Sequence, residues 1–212
     1  DLTWCRHFGL LVGERFEIQK LGSLGYLMKN SATVGDALRS LILHLHLYDR
    51  GAAPLLVTFS PGKVILGYSI YQHATPAIDQ VYDAVNGIIF KILRALCGPS
   101  WAPLQVNFCY RAPANTRPYK KVFSSRLSFD AGASGVVFAS SWLDKPIPGA
   151  DPVLYGLLLR AMQGAETVSP MSFAEQVQLS LYQLVLTSTA TADAVAHLVG
   201  VKERTLRRRL AR

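Results

Sequence analysis

Apolar side chains recur at three- and four-residue steps through Ile78, Val81, Tyr82, Val85, Ile88, Ile89, Ile92 and Leu96, which is one broad face of an amphipathic helix. The spacing predicts a helix over Thr75–Cys97. Thr75 is placed to cap it, Pro76 suits its first turn, Asp79 lies near its positive end and Gly98-Pro99 stops it. A second helix is predicted over Thr33–Tyr48, with Thr33 and Asp36 in capping-box-like spacing and Ala37, Leu38, Leu41, Ile42 and Leu45 facing inward. Between them, Leu55–Phe59 and Val64–Tyr71 read as strands joined by Ser60-Pro61-Gly62-Lys63, with Pro and Gly where a type II turn wants them. Strands joined so tightly must run antiparallel. Leu104–Tyr110, Arg126–Phe129 and Val136–Ala139 add three extended pieces. The order predicts an α+β domain, an antiparallel sheet with helices packed on a face, followed by an all-α segment.

From Asp151-Pro152 a short helix is expected to run to about Met162, and Gly164–Pro170 reads as a linker or tight corner that holds the domain boundary. We place a first domain at 1–165 and a linker plus second domain at 166–212. Ser172-Phe173-Ala174-Glu175 is a capping box opening a helix to about Thr187, with Phe173, Val177, Leu181, Leu184 and Val185 on one side. Thr191 then caps a short helix through Leu198, with Val195 and Val199 apolar and Ala196 small enough for a close crossing. Gly200 permits a tight turn, and a last helix from about Glu203 carries Leu206 and Leu210 as buried anchors. With those leucines inward and 100° per residue, Arg204, Arg208 and Arg212 fall on the outward face with Thr205 beside them, and Arg207 and Arg209 flank it. An outward arginine stripe suits a recognition helix, because the guanidinium fork grips guanine N7 and O6 and neighbouring cations hold phosphates.

Charge sharpens this picture. The chain has 22 Lys and Arg against 14 Asp and Glu, a net charge of +8, and most of that excess sits in Val201–Arg212. The basicity is local, which points to a polyanion at that end. The apolar stretch Val85–Cys97 is broken by Lys91 and Arg94, too short for a membrane span. Cys5, Cys97 and Cys109 form no CxxC pair and are odd in number, so a reduced, cytoplasmic protein is expected. Asp1 in place of Met, with no signal-peptide pattern, suggests a fragment.

The stretch Ala194–Leu210 resembles the first helix-turn-helix of AraC/XylS-type transcriptional regulators, departing from it at Lys202, where the family usually has a capping serine. Upstream, Gly9–Glu14, Leu21–Tyr26, Ser31–Leu38, Pro118-Tyr119, Phe123, Leu143–Pro148 and Ala150–Pro152 resemble the effector domain of that family's arabinose-binding-like branch. The resemblance covers nearly the whole chain. It implies a sequence-specific DNA-binding regulator controlled by a small-molecule effector in the N-terminal domain, with double-stranded DNA as partner. It also implies further residues at both ends: a helical segment before Gly9 and a second helix-turn-helix after Arg212. Such regulators commonly form a homodimer, although no coiled-coil heptads mark an interface here. The alternative is a stand-alone ligand-binding or protein-interaction module that does not bind DNA.

Other chemistry is sparse. Gly22–Gly25 and Gly132–Gly135 do not match the Gly-x-Ser-x-Gly elbow and read as turns. His44 and His46 are two apart on a helix and cannot converge on one metal; like His73 they read as packing or surface residues, and His197 as exposed. Cys97 and Cys109 read as small buried hydrophobes. No metal site, cofactor or catalysis is expected. For an effector, Tyr68, Tyr71, Asn107 and Arg111 are the candidate contacts, in a largely apolar pocket between sheet and long helix, with Arg111 or Arg117 able to clamp a carboxylate.

Overall fold

A computed structural model describes residues 5, 7–70, 76–168, 170–186 and 191–211. Its contacts divide the chain into two compact units, Asp1–Met162 and Gln163–Arg212. The first opens with α1 (Phe8–Glu14), α2 (Gly22–Lys29) and α3 (Val34–His44). Thr33 starts α3 as predicted: its hydroxyl accepts from the Asp36 amide at 3.1 Å and donates to the Asp36 carboxylate at 2.7 Å. The predicted Thr33–Tyr48 helix tightens to a 3₁₀ turn over Leu45–Leu47. Gly22–Gly25, expected as a turn, instead forms the first turn of α2, whose Leu24, Leu27 and Met28 are fully buried.

Strands β1 (Ala52–Ser60) and β2 (Lys63–Ile70) form the predicted antiparallel hairpin, with Gly62 at φ +71°. That value is what the third position of a type II turn demands. After α4 (Ile78–Cys97) come β3 (Gln105–Asn107), α5 (Arg117–Phe123), β4 (Arg126–Ser128) and β5 (Gly135–Ala139). The sheet order is β1-β2-β5-β3-β4. The α+β class holds, and every pairing is antiparallel except β3–β4, which is parallel. The cause is α5: a helix between two strands provides the crossover that parallel neighbours need.

Helix α4 is covered on two sides. Ile89, Phe90, Ile92, Leu93 and Leu96 share one core with Leu66, Val106, Val136 and Phe138 of the sheet. Toward its start, α1 approaches so closely that a Cβ at Gly87 would stand 2.8 Å from the Gly13 Cα. Asp83, Asn86 and Gly87 are therefore buried, whereas Ile78, expected inward, is exposed. The helix begins after Ala77, at φ +51°, and the predicted cap Thr75 lies outside the described residues. Helix α6 (Pro152–Val168) is longer than its expected end near Met162; the Asp151 carboxylate caps it by accepting from the Val153 and Leu154 amides at 2.8 and 3.1 Å.

The second unit holds α7 (Phe173–Leu186), α8 (Ala192–Leu198) and α9 (Glu203–Leu210) around a small core of Val177, Val195, Ala196 and Leu206. The capping box is present in both directions: the Ser172 amide donates to Glu175 at 2.7 Å and the Glu175 amide to the Ser172 hydroxyl at 3.2 Å. Leu181, expected inward on α7, is exposed. No helix among the described residues is long and apolar enough to cross a membrane.

Candidate nucleic-acid interface and effector cleft

The path from α8 to α9 is set by backbone chemistry. Thr191 accepts from the Ala194 amide at 3.1 Å and starts α8. Gly200 adopts φ +69°, its amide donates to the His197 carbonyl at 3.2 Å, and the Val201 amide donates to the Ala196 carbonyl at 2.9 Å. This pair of bonds is a Schellman ending, which closes α8 and turns the chain sharply. Ala196 is buried where its small side chain was expected to allow a crossing. Lys202 precedes α9 with extended backbone and no side-chain cap, and its carbonyl accepts from the Thr205 and Leu206 amides.

On α9, Leu206 is buried at 4% exposure, but Leu210 is 50% exposed and is not the second anchor that its spacing suggested. It is the last residue of the helix, about 6 Å along the axis from Leu206, beyond the cluster that Val177, Val195 and Ala196 form. Opposite Leu206, Arg204 and Arg208 are exposed and have no ion-pair or hydrogen-bond partner among the described residues. Thr205 is half-buried beside them. Arg207 is engaged by the Glu203 carboxylate at 2.6 and 2.9 Å, one turn back. The Arg209 guanidinium lies 5.0 Å from the Phe173 ring centroid, a cation–π contact joining α9 to the start of α7. Arg212 lies outside the described residues. His197 is exposed, as expected.

Among the described residues of the first unit, the space expected to hold a ligand, between sheet and α4, is filled by the core described above. Of the candidate effector contacts, Asn107 is buried, its carbonyl accepting from Asn86 at 2.9 Å and its side chain from Gln105 at 2.6 Å. The Tyr68 hydroxyl donates to Asp49. Tyr71 lies outside the described residues. Arg111 instead lines an open cleft of about 770 Å³ together with His7, Asp79, Asn115, Tyr110 and Tyr119, a lining that includes neither Tyr68 nor Asn107. Arg117, the other candidate carboxylate clamp, lines a neighbouring hollow of about 280 Å³.

Behind the cleft wall is a group that the sequence reading passed over. Asp83 is fully buried, and both its oxygens accept from phenols: one from Tyr110, the other from Tyr119 at 2.8 Å. Burial pushes its carboxyl up to about 6, against the pull of the two tyrosine hydrogen bonds, with Asp79 adding and His7 subtracting. Both phenols are raised in turn, first by their own burial and then by the Asp83 charge. The rings are held by an aromatic cluster: Phe108 stacks on Phe129 at 4.8 Å, and Tyr110 and Tyr119 meet Phe108 edgewise at 5.6 and 5.4 Å. The neighbours of Asp83 one turn away on α4 are Asp79, Gln80, Asn86 and Gly87, so helical periodicity places it on the polar face and gives no signal of its burial.

Cys97 is half-buried, and burial pushes its thiol up to about 12; Cys109, expected to be buried, is exposed. It lies in a bend just past the end of β3, where the chain leaves the sheet. His44 is buried and His46 half-buried, while His73 lies outside the described residues. Among the described residues no three His, Cys, Asp or Glu side chains gather where they could hold a metal.

Comparison with known proteins gives a consistent picture. The family model for the arabinose-binding domain of AraC transcription regulators, N-terminal part, matches residues 1–147. The HTH-type transcriptional regulator VirS of Mycobacterium tuberculosis is 23% identical over 209 residues, covering 98% of this chain and 61% of that protein. The ornithine utilization regulator of Pseudomonas aeruginosa is 24% identical over 144 residues, 68% of this chain and 42% of the relative. The crystal structure of transcriptional regulator CdpR from Pseudomonas aeruginosa shares the fold, with a TM-score of 0.66 at 19% identity over 98% of this chain and 68% of that one. The chain thus spans about three fifths of the length of VirS.

Proposed function

We propose that this chain, which belongs to the AraC family of transcription regulators through its arabinose-binding-type N-terminal domain, binds DNA through α9 and answers to a small-molecule effector in its first domain. The functional division we assign is 1–165 for the sensor and 166–212 for linker and helix-turn-helix, in a protein that works in the cytoplasm. The observation that carries the reading is the α8–Gly200–α9 arrangement: one buried leucine beneath, and directly opposite it two arginines, Arg204 and Arg208, that are unpaired among the described residues. Those two are assigned to base edges, with Thr205 beside them. Arg207, Arg209 and Arg212 are assigned to phosphates; Arg207 must leave Glu203 to do so, at the small cost of an exposed pair. Effector control requires that the ligand bind two arrangements of the sensor with different affinity, and the helix leading into the DNA-binding motif, predicted over Ser172–Thr187, is where we place the transmission.

The test is duplex selection from random DNA with the intact protein, followed by fluorescence anisotropy across a salt series. Phosphate contacts release counterions, so the logarithm of the affinity should fall linearly with the logarithm of salt concentration at a slope of about −0.9 per contact. A protein that selects no sequence and shows no salt-dependent binding would favour the reading as a stand-alone interaction module.

A further inference from the structure

The Tyr110–Tyr119 cleft joins two features that point to one ligand chemistry. Asp83 is a fully buried carboxylate whose bonds come from two neutral phenols, and among the described residues it has no lysine or arginine partner. A buried carboxylate with no lysine or arginine beside it is costly, and desolvation outweighs both the phenol hydrogen bonds and the pull of His7; at pH 7.5 it is nonetheless ionised. The phenols that hold it are also cleft wall, so the carboxylate stands one hydrogen bond behind the surface that a ligand would touch. Asp79 lines the same cleft, is exposed, and has no partner of its own among the described residues. One part of the cleft thus combines a free carboxylate, a buried one and two aromatic rings, the combination that attracts an ammonium group. Arg111 lines it as well, exposed and unpaired among the described residues, with the fork that grips a carboxylate. The volume, about 770 Å³, falls within the range of small-molecule sites.

We infer that this cleft binds a small zwitterionic amine, its ammonium against Asp79 and the Tyr110–Tyr119–Asp83 wall and its carboxylate on Arg111. The inference rests on the reading of the first domain as a sensor and gives that sensor its ligand class. A neutral sugar would offer Asp83 no counter-charge, and a simple carboxylate would meet the wrong sign of field on the Asp79 side.

Calorimetric titration of the intact protein at pH 7.5 tests this with ω-aminoalkanoates of four to eight carbons, and with hexylamine, hexanoate and arabinose as controls. One or more of the aminoalkanoates should bind, hexylamine more weakly, hexanoate and arabinose weakest. Asp79→Asn and Arg111→Met, both at exposed positions, should each weaken the best aminoalkanoate by about tenfold or more, the loss of one charge-assisted bond. Asp79→Asn should leave hexanoate unaffected or improved. The inference is overturned if no aminoalkanoate binds, if hexanoate or arabinose binds as tightly, or if neither substitution matters. Because DNA binding is read separately by the salt series, failure of the ligand class and failure of the regulator reading are distinguishable.

Discussion

Replacing Asp83 by asparagine removes one charge from a fully buried network while keeping its shape and both phenol hydrogen bonds within reach. The folded carboxyl sits at about 6 against 3.8 for an ordinary aspartate. Between those two values the folded protein holds a proton that the unfolded chain has released, so stability must fall as pH rises through the window. The carboxyl's contribution is greatest below pH 3.8, declines to about pH 6, and is flat above it. At 1.36 kcal/mol per tenfold change in proton affinity the loss amounts to about 3 kcal/mol. The Asp83→Asn amide does not titrate, so that variant should lack this slope. The assay is urea unfolding of both proteins from pH 4 to pH 8, followed by tryptophan fluorescence; Trp101 and Trp142 lie in the first unit and the sequence from Gln163 to Arg212 contains no tryptophan, so the signal reports the right domain. Taking the difference between the two proteins removes titrations that they share, leaving the coupling of Asp83 to Asp79 and His7 as the remaining modulation. The reasoning is refuted if the wild type gains stability relative to Asp83→Asn across pH 4–6, or if the difference is flat.

Two further perturbations separate packing from patterning. Gly87→Ala should destabilise the first unit by about 1–3 kcal/mol despite alanine's better helix propensity, because the added Cβ would meet the Gly13 backbone; a melting curve equal to wild type would mean that α1 does not pack as described. Leu206→Ala should cost about 2–4 kcal/mol and expose the α8 and α9 amides to hydrogen exchange, whereas Leu210→Ala, at a half-exposed position, should cost well under half as much. Equal effects of the two substitutions would restore the two-leucine anchor that spacing alone suggests.

The elements legible in the sequence were those whose signal is local. Thr33–Asp36, Ser172–Glu175, Pro61-Gly62 and Gly200 each fix a start or a turn by short-range chemistry, and all four do so in the structure. What escaped depends on distant partners. Gly22–Gly25 looks like a turn until a helix rich in small residues is supplied with neighbours that reward close approach. The buried side of α4 carrying Asp83 and Gly87 is created by α1, some seventy residues away, and the parallel β3–β4 pair by the crossover through α5. The same holds for the sites. The outward pair Arg204 and Arg208 follows from periodicity within one helix, and Leu210 fails because a helix end can outrun its partners. The cleft around Arg111 is assembled from the chain before α1, the start of α4, the segment after β3 and α5, which no single window of sequence displays.

The central claim is that α9 reads DNA with the face opposite Leu206. Its most direct measurement is the affinity of Arg204→Ala and Arg208→Ala for the duplex selected by the wild type, against the same duplex with single base changes. Each substitution should weaken the selected site by about 1–3 kcal/mol and flatten the preference at one base position, with non-specific binding much less affected. Unchanged affinity and unchanged base preference in both variants would contradict the account.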